Sequence, residues 1–223
     1  MEVPVGQAQY RAMKPNLIAG NASLILGLMM FTLPGFPKTP LSRVSITIRL
    51  LDHVNLLAEG RQDLEANAKR VLGAAGVAVE LIQCFRGGVA TGIPACTTPL
   101  GPTDFVVRVL HPKLAAKDRQ LGYAAMTSEG GAYVTVFLDP ARRRARVSSL
   151  TDGTLLGHAV AHEIGHLLLG PNSHSSSGIM RPVWLLCDEE WMAKRVLLFG
   201  SDEAIRMRAA LTARTESRFR NAD

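Results

Sequence analysis

Residues 152–170 read DGTLLGHAVAHEIGHLLLG, the strongest helical pattern in the chain and the one that carries its chemistry. Leu155, Leu156, Ala159, Val160, Ile164, Leu167 and Leu168 recur at helical spacing. Thr151 or Asp152 can cap the start, and Gly170 with Pro171 stops the end. On that helix His162 and His166 stand four residues apart, so their imidazoles project from one face a single turn apart and can reach the same ion. Glu163 adjoins the first of them, where a carboxylate can take a proton from activated water. The plainer reading is a pair of polar residues on a helix near the surface, with Glu163 solvated. His158 lies on the same stripe, but at a rise of about 1.5 Å per residue its backbone sits about 12 Å from that of His166, too far to share one ion. Packing, capping or support of a ligand is the role expected for it.

Towards the amino terminus from this helix, strand and helix alternate. VSITIRLL (Val44 to Leu51) has the β-branched and aliphatic density of a buried strand. Glu59 to Ala75 places Leu64, Ala68, Val71 and Leu72 on one helical side. VAVELIQC (Val77 to Cys84) and FVVRVL (Phe105 to Leu110) are further strands, separated by a Gly/Thr/Pro-rich loop. Gly122 to Asp139 reads as an extended segment, a Gly130-Gly131 turn and a strand through Tyr133 to Leu138, followed by an arginine-rich connection. Beyond the histidine-bearing helix a polar loop leads to one or two helices from Asp188 onward, broken near Gly200 to Asp202. The expected fold is a mixed α/β (α+β) domain: a small sheet packed on the histidine-bearing helix, with C-terminal helices.

Residues 1–37 form a separate region in this reading, and 38–223 the domain. Leu17 to Leu33 carries no charge and follows Arg11 and Lys14, the pattern of a secretory signal or a membrane anchor. Cys84 and Cys96 bracket the Gly/Thr/Pro-rich loop that a disulfide could close; pairing of Cys96 with Cys187, or three free thiols, are the alternatives. Both features point to a secreted, periplasmic or extracellular protein, with membrane association through the amino-terminal segment if that segment is retained. The net charge of +6 sits mainly in Arg142, Arg143, Arg144, Arg146 and the last thirty residues, without aromatic interleaving, and no nucleic-acid partner is expected.

HEIGHLLLGPNSHSSSGIM, residues 162–180, resembles the metzincin clan of zinc metallopeptidases, whose pattern has HExxH, a helix-ending Gly, a third His and a Met in a tight turn beneath the metal. His162, Glu163, His166, Gly170, His174 and Met180 fall in that order, and the similarity covers residues 155–185 closely. The resemblance implies a zincin-like fold, one catalytic Zn2+ held by His162, His166 and His174, Glu163 as catalytic base, and a protein or peptide substrate. It also implies an edge strand beside the cleft, expected at Tyr133 to Leu138. The spacing departs from the clan pattern: Gly170 is four residues after His166, and His174 four after Gly170, one more than usual in each case. Glu189 or Glu190 on a later helix is the competing third ligand, as in gluzincins. His53 and His111 follow predicted strands and are expected to be solvated. Two other function classes stay open, an inactive zincin-fold binding module and a membrane-associated interaction protein.

Overall fold

The computed structural model describes residues 44–111, 120–125 and 131–220. The amino-terminal segment and its boundary with the domain therefore lie outside the described residues, as does most of the segment between Ala125 and the Gly130-Gly131 turn. In chain order the elements are β1 (Val44–Asp52), α1 (Ala58–Ala74), β2 (Val77–Arg86), β3 (Val89–Ala90), a short 3-10 turn (Pro94–Cys96), β4 (Asp104–Leu110), β5 (Gly122–Ala125), β6 (Tyr133–Phe137), α2 (Leu138–Ala145), α3 (Asp152–Leu169), α4 (Leu186–Ala193) and α5 (Ser201–Arg220). They form one mixed sheet in the order β3-β2-β1-β4-β6-β5, with helices alongside, which is the α/β class expected from the sequence. The strands β2, β1, β4 and β6 run parallel, and the short outer strands β3 and β5 run antiparallel to their neighbours.

The core follows from the apolar patterns. Ile46, Ile48 and Leu50 of β1, Phe105, Val107 and Val109 of β4, and Val134 and Val136 of β6 are buried. The predicted apolar faces of α1 and α3 close over them, with Leu64, Leu72, Leu155, Leu156 and Ile164 fully enclosed. Each such side chain contributes about 1.5–3 kcal/mol on burial. α3 is the hub: it packs against α1, α2, α5, β5 and β6. Fifteen of its eighteen residues are buried, which leaves no solvated face and removes the reading of His162 and His166 as surface residues. Thr151 is the N-cap, its hydroxyl accepting from the Thr154 N–H at 3.0 Å.

Three local expectations are corrected. The edge strand is not Tyr133 to Leu138: β6 stops at Phe137 and lies between β4 and β5, so the outer strand next to α3 is β5. β6 is buried along four of its five residues, the continuous apolar run of an interior strand, and its place depends on β5 folding back along it. The arginine-rich connection begins as a helix, α2, because Pro140 falls in the first turn, where a missing N–H costs nothing, and arginine is a good helix former. The Gly/Thr/Pro-rich loop holds the short hairpin strand β3. Of the cysteine alternatives, Cys84 and Cys96 are joined in a disulfide, and Cys187 is free and exposed. Among the described residues no helix is long and apolar enough to cross a membrane.

Candidate metal centre

α3 presents His162 and His166 on one face, as their spacing requires. The extra helical residue before Gly170 is undone at once: Gly170 adopts φ +103°, a conformation open to glycine, and the turn at Pro171 and Asn172 swings the chain back. His174 thereby returns to the helix face. His166 Nε2 lies 3.1 Å from His162 Nε2 and 3.1 Å from His174 Nε2. These three residues form the one group among the described residues whose donor atoms converge as metal ligands do.

The ring tautomers follow from the partners of the far nitrogens. His162 Nδ1 is 2.7 Å from the Ile179 carbonyl oxygen, which can only accept, so Nδ1 carries the proton. The same oxygen accepts from Trp184 Nε1 at 3.0 Å, and the indole stands edge-on to the His162 ring, 5.8 Å between centroids. Ser173 gives its one hydroxyl proton to the Gly170 carbonyl at 2.7 Å, so at 3.0 Å its oxygen accepts from His166 Nδ1. Both Nε2 atoms that face each other at 3.1 Å are therefore bare acceptors, an arrangement that a cation between them relieves. With zinc–nitrogen bonds of about 2.0–2.1 Å, tetrahedral ligands lie about 3.3–3.4 Å apart, close to the spacing found. The donor set fits a divalent metal ion. Ile179 O, Ser173 and Trp184 are the supporting partners that orient ligand rings. Sequence reading passed over all three, because each acts through a contact made in space.

Burial disfavours charge on the two helical histidines of the site. It lowers the His162 pKa to about 4, helped by the neighbouring His166 and His174 and opposed by the Ile179 hydrogen bond. The His166 pKa is lowered by burial and by His174. Neutral imidazole is the form that ligates a metal. Glu163 is only 8 % exposed, and burial raises its pKa to about 7, opposed by a hydrogen bond from the Ala124 N–H. That bond comes from β5, so the carboxyl group sits against the outer strand. Gly122 in the same strand is pressed against Glu163: a β-carbon there would lie 3.2 Å from Glu163 Cγ.

Met180 is buried beneath α3 at Gly165. A β-carbon at Gly165 would lie 2.6 Å from Met180 Sδ and 2.9 Å from Phe199 Cε1, so the floor of the site approaches the helix as closely as glycine allows. The competing residues do not join the three-histidine group: the Glu189 carboxylate lies on the cavity wall paired with Arg144, and Glu190 is exposed. His158 donates from Nδ1 to the Thr154 carbonyl at 2.8 Å and accepts from the Arg70 guanidinium at Nε2, 3.0 Å, with Trp184 edge-on at 6.4 Å. His53 packs at a tilt against Phe85 and His111 pairs with Asp139, both outside the histidine group. A cavity of about 1120 Å³ opens over His162, Glu163, His166 and His174, walled by β5, α2 and the segment from Arg181 to Glu189.

No protein-family model matches this chain, and no curated protein matches it. Fold and site together define a mixed α/β protein with a three-histidine group that could hold a metal ion.

Proposed function

We propose that the protein is a zinc-dependent peptidase that hydrolyses peptide bonds with water as nucleophile. The observation that carries this reading is the convergence of His162, His166 and His174 at 3.1 Å contacts beside a buried Glu163 in an open cleft. A purely structural zinc site is closed by four protein ligands and has no use for that carboxylate. The three histidines would hold Zn2+, which supplies a Lewis acid that polarises the scissile carbonyl and makes water acidic enough to attack near neutral pH.

The chain's own residues do the rest. Glu163 takes the proton of the attacking water and gives it to the departing amine nitrogen, so that the peptide leaves as amine and carboxylate with no covalent enzyme intermediate. The Ala124 N–H holds the carboxyl group at the outer edge of β5. An extended substrate laid along that edge brings its backbone carbonyl to the cleft, because an outer strand has main-chain groups to pair. Ile179 O and Ser173 keep His162 and His166 in the ligating tautomer. The Cys84–Cys96 disulfide favours an oxidising compartment, and with it the secreted or periplasmic setting.

Elemental analysis of the purified chain tests the metal, and digestion of a peptide library read by mass spectrometry tests the activity. One zinc per chain, lost in His174→Ala together with cleavage, is the expected result. A wild-type chain that takes up no zinc on reconstitution would exclude this function.

A further inference from the structure

We infer that the cleft selects peptides with a bulky apolar side chain next to the scissile bond, in preference to acidic ones; the inference rests on the peptidase reading above. Five large apolar side chains left in water line this cleft. Val147 is 81 % exposed, Leu186 75 % and Val183 62 %, and Leu185 and Tyr123 join them on its walls. Ala159 of α3 and Pro140 of α2 line the same cavity, so apolar surface and the histidines share one cleft. Apolar surface is unfavourable in water and is covered most readily by a matching ligand surface. Because these side chains and the histidines with Glu163 line one cavity, the substrate is its occupant.

Arg143, Arg144 and Arg181 also line the cavity and invite the opposite reading, an acidic substrate. The charges of Arg144 and Arg181 are already engaged. Arg144 pairs through Nε with the Glu189 carboxylate and donates from a terminal nitrogen to the Trp184 carbonyl. Arg181 lies 3.4 Å from the buried Asp188 carboxylate and donates to the Ser176 carbonyl. Arg143 has a partner of its own. At Arg144 or Arg181 a substrate carboxylate would have to displace Glu189 or Asp188, each of which is buried and would be left without its counter-charge. An apolar side chain displaces only water.

The test uses the full-length, zinc-loaded chain. Cleavage sites in a mixed peptide library should be enriched about tenfold or more for Leu, Ile, Phe or Met over Asp and Glu at one position flanking the scissile bond. Val147→Asn and Leu186→Asn, at exposed positions, should reduce that enrichment by raising KM while kcat and zinc content hold. Binding is read separately with Glu163→Gln and a fluorescent peptide pair that differs only by Leu for Glu at that position; the Leu peptide should bind more tightly. Cleavage without preference, acidic preference, or enrichment unmoved by both substitutions would overturn the inference. Selective binding of the Leu peptide with no cleavage by the wild type would uphold the apolar site and overturn the peptidase reading instead.

Discussion

At the scale of single residues, the proposed ligand, base and supporting roles fall on different side chains and can be taken apart by substitution. Glu163→Gln keeps the shape of the side chain and leaves the three imidazoles in place, but amide cannot accept a proton. It should retain zinc and lower kcat by about 10²–10⁴-fold; hydrolysis at the wild-type rate would remove Glu163 from the mechanism. Ser173 is a different case, because it contacts His166 at Nδ1, away from the converging Nε2 atoms. It accepts from His166 Nδ1 only because its own proton is spent on the Gly170 carbonyl. Ser173→Ala should weaken zinc binding by about 10–100-fold without unfolding the chain, as measured by competition with a chelator. Unchanged affinity would mean that the helix alone orients His166.

At the scale of elements, α3 does two jobs that pull in different directions: it is the centre of the core and the carrier of the site. Its predicted boundaries hold, with Thr151 as cap and Gly170 as stop, because capping and glycine chemistry are local. Its surroundings were less legible. Gly165 reads from the sequence as a poor helix former, and only its contact with Met180 and Phe199 shows why it is there. Gly165→Ala should cost about 1–3 kcal/mol through overpacking, with the lower end set by the flexibility of the methionine. Equilibrium unfolding in urea measures it, and a gain in stability, as expected for alanine in an unobstructed helix, would show that the floor yields. The wrong edge strand has a similar origin: composition marks Tyr133 to Phe137 as a strand, but the pairing with Gly122 to Ala125 determines which of the two lies outside.

At the scale of the molecule, the buried histidines tie stability to pH. His158 is fully enclosed, and burial, with the charge of Arg70, lowers its pKa to about 4 despite the bond to the Thr154 carbonyl. The unfolded chain takes up this proton near the ordinary value of 6.5, while the folded chain refuses it until about 4. The unfolded state therefore binds more protons between these values, and stability is lost as pH falls through that window, by on the order of 2 kcal/mol at pH 5. In metal-free protein His162 acts in the same sense, whereas Glu163, with its raised pKa, acts in the opposite one. Comparison with His158→Gln isolates the one term: the variant's unfolding free energy should change less between pH 7 and pH 5. Equal pH dependence in both proteins would show that His158 is as easily protonated folded as unfolded.

Hydrophobic periodicity, capping residues and the i, i+4 geometry of a helix act within a few residues of chain, and they were enough to place α1, α3, the four parallel strands and the pairing of His162 with His166. Those same local rules could not bring His174 back beside the two helical histidines across two extra residues, pair Glu189 with Arg144, order β5 outside β6, or join Cys84 to Cys96 rather than leave the thiols free. Each of these rests on contacts between segments distant in sequence. The return of the chain at Gly170, the ion pair that occupies Glu189 and the hydrogen bonds of Ile179 and Ser173 to the two helical histidines exist only once the core has brought α3, α4 and their connecting loop together.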